Sequence, residues 1–136
     1  MRTFVDAGVL IVAARGTGKH AERALSVLDD PRREFVASAL LKLEVLPKPL
    51  YFRRAEEVEF YETFFSAVRA WAPLSAELSA QAFAVASRHG LAGMDVLHVA
   101  AALTLGAEEM VTTERETSPL FRAQGLVVTS IFADRS

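Results

Sequence analysis

The chain has 136 residues, 51% of them hydrophobic and 24% charged, with five Pro and seven Gly; this composition fits one globular domain over residues 1–136 and excludes a disordered tail protein. There is no Cys, which excludes a disulfide framework, a thiol nucleophile, an iron–sulfur cluster and a Cys-based zinc site, and leaves any metal to oxygen or imidazole ligands. A formal charge of −2 offers nucleic acid no whole-protein attraction, so any basic patch has to be local.

No basic leader precedes an apolar core and a cleavage site, and the longest uncharged apolar run, Val96 to Ala107, is shorter than the ~18 residues that span a bilayer. A soluble, cytoplasmic protein without membrane contact is expected. Ala is the commonest residue, at 23 positions, and favours helices over a β-sandwich.

Thr3-Phe4-Val5 reads as a short buried strand, and Val9 to Ala14 as a helix that follows it at once, with Asp6 on the turn between them. Gly16-Thr17-Gly18 breaks that helix. Ala21, Ala24, Leu25 and Leu28 then mark one face of a helix over Lys19 to Leu28, which Asp29-Asp30-Pro31 stops. Glu34 to Ala37 is a second strand, Ser38 a cap, and Leu40 to Leu46 a short helix closed by Pro47 and Pro49.

Arg54 to Ala70 keeps a helical spacing of Ala55, Val58, Tyr61, Phe65 and Val68, and Phe60 and Phe64 widen the apolar stripe. A stripe that wide on a rim helix predicts cover by a second copy, hence a homodimer through the 54–70 helix joined by the next one. After Trp71-Ala72-Pro73, Ser75 caps a helix to His89, with Glu77 in its first turn and Gly90 after its end. Gly93 to Leu105 is a further helix, and Met110 to Thr112 and Leu126 to Thr129 are the last two strands, separated by a turn and a short helix at Pro119 to Ala123. Strands alternating with helices imply an α/β fold with a parallel sheet covered on both faces, in which function sits at the carboxyl ends of the strands.

Four acids reach that edge from distant parts of the chain: Asp6 after the first strand, Glu44 on the helix after the second, Asp95 at the start of the helix before the third, and Glu114 after it. Converging carboxylates repel one another, and a protein relieves this by binding hard divalent cations such as Mg²⁺ or Mn²⁺, which can activate water for phosphodiester hydrolysis. Each acid also has a plainer reading: Asp6 as a helix cap, Asp95 as a first-turn charge on the helix dipole. Glu44 lies among Leu41, Leu43, Val45 and Leu46, where an unpaired acid is costly. His98 falls three residues after Asp95; the reading preferred for it is a packed side chain bonded to backbone, with metal ligation the minority reading.

With these pieces in order, Val5-Asp6-Ala7-Gly8-Val9-Leu10-Ile11, Leu43-Glu44-Val45-Leu46, Met94-Asp95-Val96-Leu97-His98-Val99-Ala100 and Val111-Thr112-Thr113-Glu114, the chain resembles a PIN domain, the fold that includes VapC-like toxins of type II toxin–antitoxin systems. The resemblance implies a three-layer α/β/α fold with a parallel sheet of four to five strands. It also implies a Mg²⁺- or Mn²⁺-dependent endoribonuclease with Asp6, Glu44, Asp95 and Glu114 as catalytic acids and metal ligands, and Thr112 as a supporting hydroxyl. Its implied partners are an RNA substrate, a cognate antitoxin and a second copy of the chain. Two departures stand out: Ala7 and Gly8 replace hydroxyl residues after the first acid, and Glu114 stands where the family has Asp, with Glu116 as a fallback. Arg15, Lys19, Lys42, Lys48 and Arg115 are candidates for flanking phosphates.

The alternative function is a catalytically weak PIN-fold module that binds RNA or a protein. A haloacid-dehalogenase-like phosphatase also places an Asp after its first strand, but needs a second acid where Gly8 stands.

Overall fold

The strand that begins the chain is also the one that the rest of the sheet is built on. In the computed structural model, which describes residues 1–132, β1 (Arg2–Val5) has Thr3, Phe4 and Val5 fully buried. It lies at the centre of a five-stranded parallel sheet of order β3-β2-β1-β4-β5. The other strands are β2 (Glu34–Ser38), β3 (Ala70–Ala72), β4 (Glu109–Thr112) and β5 (Val127–Ser130).

Parallel strands need crossovers, and here they are helical. α1 (Ala7–Arg15) and α2 (Gly18–Leu28) join β1 to β2; α3 (Ala39–Val45), α4 (Pro47–Tyr51) and α5 (Ala55–Ser66) join β2 to β3; α6 (Ala76–His89) and α7 (Gly93–Thr104) lead to β4. A 3-10 turn at Pro119–Arg122 precedes β5. Strand side chains alternate between two cores. Val5, Phe35, Ala37 and Val111 pack with Val9, Leu10, Leu41, Tyr61, Phe64 and Phe65 on one face; Phe4, Val36 and Met110 pack with Leu78, Ala82, Val96 and Val99 on the other. The architecture is the expected three-layer α/β/α.

Three expectations change. The helix expected to run to Ala70 stops at Ser66, and Ala70–Ala72 is the edge strand β3, paired with β2 through Val36↔Ala70 and Ser38↔Ala72. It is only three residues long, too short for a period-2 signal, and its strand character comes from the neighbour it pairs with. The helix before Pro47 ends at Val45, as expected, but Pro47 also opens a separate helix that was not expected, α4, in whose first turn its missing N–H has no partner to lose and its fixed φ suits the turn. The aromatic width of α5 is used internally: Tyr61, Phe64 and Phe65 are buried in this chain's own core. Phe35 meets Phe64 edge-on at 5.4 Å and Trp71 lies 5.5 Å from Phe65, so these residues leave no stripe that requires a second copy.

At the amino ends of the strands, Glu109 is buried and answered in full. Arg33 Nε donates to it at 2.9 Å, Thr129 Oγ1 at 3.1 Å and Thr3 Oγ1 at 3.3 Å, while Arg33 also reaches Asp30 at 3.0 Å. Removing one member of such a pair strands a buried charge, whereas removing both with apolar groups is close to neutral. Arg33→Met is therefore expected to lower the free energy of unfolding by about 3 kcal/mol in urea denaturation, and Glu109→Leu added to it is expected to recover most of that loss.

Candidate active site

Register places the site. The pairs Phe4↔Val36 and Phe4↔Met110 set one apolar row across β2, β1 and β4, facing α7. Side chains repeat with period two, so the next row on that face, at the carboxyl edge, is Ser38, Asp6 and Thr112. All three are polar and buried, at 1%, 9% and 0% exposure.

Asp6 is the N-cap of α1: Oδ1 accepts from the Val9 N–H at 3.1 Å and Oδ2 accepts from the Thr112 hydroxyl. Thr112 Oγ1 in turn accepts from the Glu114 N–H at 3.0 Å. The cap reading of Asp6 and the site reading thus hold together, since capping fixes where the carboxylate points. Ser38 is the N-cap residue of α3, but its hydroxyl makes no capping bond and is buried without a hydrogen-bond partner.

α7 faces this row. His98 is 2% exposed, lies 5.4 Å from the Phe4 ring, and brings Nε2 to 2.5 Å from Glu44 Oε1. The hydrogen of that bond belongs to Nε2, because an ionised carboxylate only accepts; Nδ1 is buried and unpartnered. His98 thus bonds to a side chain and not to backbone as expected, and it gives the costly acid on α3 its partner. One helical turn earlier, Asp95 is half-buried.

Burial pushes the Asp6 carboxyl up from the ordinary value, and Asp95 adds to the rise; the Thr112 and Val9 hydrogen bonds and His98 oppose it. Asp95 is also pushed up, chiefly by burial and further by Glu44, with His98 again opposing. Asp6, Asp95, Glu44 and His98 therefore form one electrostatic group, and no Lys or Arg forms an ion pair with its acids among the described residues.

The remaining candidates stand apart. Glu114, Arg115 and Glu116 are exposed on the loop after β4, and Glu114 is tied to the row through its backbone N–H alone among the bonds described. Arg15 pairs with Glu57 at 3.7 Å, Lys42 stands over the Trp71 ring at 4.5 Å, and Arg115 is 5.9 Å from the Phe132 ring. Lys19 and Lys48 are exposed. The space beside Gly8 is not empty: a Cβ there would collide with the Thr113 hydroxyl, so a serine at this position would have to displace Thr113. From sequence alone Ser38 has no part in the site; its signal is its strand parity with Val36, hidden by its equally good reading as a cap. His98 stands out in the sequence, but its pairing with Glu44 needs the contact between α3 and α7.

A model of the PIN domain matches residues 3–120. The chain belongs to the PIN-domain family. This PIN domain is similar in fold to VapBC2 from Rickettsia felis, solved with a DNA fragment from its promoter, at TM-score 0.69 and 14% identity over 96% of this chain and 98% of that one. It is also similar to VapBC-1 from nontypeable Haemophilus influenzae, at TM-score 0.65 and 15% identity over 98% and 100% of the two chains. A third is FitAcB from Neisseria gonorrhoeae, at TM-score 0.61 and 21% identity over 96% and 98%. No match was found among curated proteins. Among the described residues of this PIN domain no helix is long and apolar enough to cross a membrane.

Among the described residues no three His, Asp or Glu side chains are gathered closely enough to hold a metal ion. The donors nevertheless fit a hard divalent cation by their chemistry: the Asp6 and Asp95 carboxylates form no ion pair with Lys or Arg among the described residues, and they stand with a buried hydroxyl, that of Ser38, that lacks a hydrogen-bond partner.

Both carboxyl shifts are upward, so Asp6 and Asp95 hold their protons more tightly in the folded chain than in the unfolded one. Stability then falls as pH rises from the ordinary value of 3.8 through the raised values, and the loss is complete above them. Asp6→Asn keeps a capping oxygen and removes the charge. With a chelator present, it is expected to melt above the parent at neutral pH, and this difference is expected to shrink as the pH is brought below the ordinary Asp range.

Proposed function

We propose that this PIN domain is a divalent-metal-dependent endoribonuclease, acting in the cytoplasm as the toxin of a toxin–antitoxin pair. The observation that carries this is the buried Asp6 carboxylate, lacking a basic partner and flanked by the Ser38 and Thr112 hydroxyls, with Asp95 and Glu44 of other elements raising the charge around it. A cluster of this kind is destabilised at neutral pH until a cation enters it.

Asp6, Glu44 and Asp95 would hold the ion. When bound, it supplies Lewis acidity toward a phosphodiester and lowers the pKa of water. The chain's own residues set the geometry: the Val9 N–H and the Thr112 hydroxyl fix both oxygens of Asp6, and His98 Nε2 fixes one oxygen of Glu44. Glu114, exposed beside the row, is within the same loop as Thr113 and is the fourth acid of this reading. Arg15, Lys19, Lys42, Lys48 and Arg115 supply positive charge for phosphates on either side of the cleaved bond.

An antitoxin partner is supported by the fold likeness to the VapBC structures, and a homodimer by the family resemblance. With Tyr61, Phe64 and Phe65 inside the monomer, the dimer surface on α5 reduces to its partly buried residues Val58 and Phe60.

A catalytically weak RNA-binding or protein-binding module is the second reading, and one observation favours it: Glu44 is engaged by His98 and no three donors are gathered. Purified protein incubated with single-stranded RNA separates the two. The nuclease reading expects cleavage with Mg²⁺ or Mn²⁺, none with chelator, and none by pure Asp6→Asn. It also expects Mn²⁺ at ~100 times its dissociation constant to stabilise the parent by ~2.7 kcal/mol in thermal melts, and Asp6→Asn to lose that gain. Cleavage retained by Asp6→Asn, or an equal Mn²⁺ response, would place the chemistry elsewhere.

A further inference from the structure

Two neighbouring aromatic rings are left open at the carboxyl end of α4, on its last residue and on its C-cap. Tyr51 is 73% exposed and Phe52 61%, although they are neighbours in sequence and their rings stack at 4.9 Å with an interplanar angle of 17°. Arg54 stands against the Phe52 ring at 5.4 Å. From Val45 to Ala55 the chain carries three cations, Lys48, Arg53 and Arg54, and no acid, in a protein whose net charge is −2. Lys48 and Arg53 are exposed and make no ion pair among the described residues.

Arg53 is held in an unusual way. It is the one non-glycine residue with positive φ among the described residues, at 55°. The Arg54 N–H donates to the Pro49 carbonyl at 2.8 Å and the Arg53 N–H to that of Leu50 at 3.3 Å. These two bonds make a Schellman closure of α4 with Arg53 at the left-handed position, which glycine fills best. An arginine there is the worse choice for the backbone and puts a second basic residue next to Arg54 in the chain.

The place is also suitable. α3 leaves the carboxyl end of β2 carrying Glu44, and α4 follows it directly before α5 returns the chain to β3. α4 is thus separated along the chain from Glu44, an acid of the site, by no more than the end of α3. Open aromatic rings with unpaired cations around them are what unpaired bases and their phosphates bind.

We propose that α4 is a platform for single-stranded RNA, on which bases stack against Tyr51 and Phe52 while Lys48 and Arg53 meet the flanking phosphates. This rests on the ribonuclease reading and adds to it where the substrate strand lies. It also selects the substrate class, because a base inside a duplex has no free face to offer.

The test is binding of a labelled short oligouridylate to the full chain by fluorescence anisotropy, in chelator so that nothing is cut, across a salt series. Tyr51→Ala and Phe52→Ala are each expected to weaken binding by about tenfold with the salt slope unchanged. Arg53→Gly is expected to melt at or above the parent temperature and yet to lower the slope of log affinity against log salt by about 0.7. A purely structural role for Arg53 would give the first result without the second. A parent that cuts and binds single-stranded RNA while all three variants bind as it does overturns the platform and leaves the nuclease reading in place. A parent that neither cuts nor binds overturns both. Variants that bind RNA like the parent but fall to a smaller mass in light scattering would assign the rings to a second copy of the chain, and the proposal would be wrong.

Discussion

An acid at the end of the central strand, buried and without a basic partner, is the constraint around which the carboxyl edge of this sheet is organised. Asp6 ends β1, and β1 is flanked by β2 and β4, so the carboxylate has no route to solvent along the sheet. Its oxygens are answered by one backbone N–H and one hydroxyl, which orient the group without neutralising it. The cost of a buried charge is thereby reduced and not removed, and the residues that crowd Asp6, His98 and Asp95 among them, act on its proton affinity from a second element.

The amino edge of the same sheet shows what the chain does with a buried acid that has no further task. Glu109 is as buried as Asp6, at 7% against 9%, but it receives an arginine and two hydroxyls. The two acids lie at opposite ends of adjacent strands and are equally deep, so the contrast is not one of depth. It is a difference in partners: one end is closed by an ion pair and the other has no Lys or Arg in ion-pair contact among the described residues.

Apolar surface is distributed by the same economy. α5 is aromatic because it packs on one face of the sheet, with Phe64 against Phe35 of β2 and Phe65 against Trp71 of β3, and the Tyr61 hydroxyl is satisfied by Glu57 at 2.7 Å. Of the aromatics that do face solvent, Phe83 stands on α6, and Tyr51 and Phe52 stand together at the end of the short α4, among cations. Much of the apolar width read along this one helix is thus used inside the chain, since a helix flanked by a strand and two other helices can bury more than one side.

Much of this protein is determined locally. The strand at Thr3 to Val5, the turn at Asp6, the caps at Ser75 and Gly90 and the spacing of α7 follow from short-range rules, because capping, turn formation and amphipathic periodicity act within a few residues. The order of acids along the chain was equally legible, and with it the family. Tertiary structure alone decided the rest. Ser38 enters the site because the parallel register sets it beside Asp6; β3 is a strand because β2 offers it hydrogen bonds; and His98 meets Glu44 because α3 and α7 approach one another, 54 residues apart in sequence. Glu114 is adjacent to Thr112 in the chain but exposed on its loop. Spacing along a sequence fixes which face of one element a side chain takes, whereas the distance between two elements is set by the packing of the whole core.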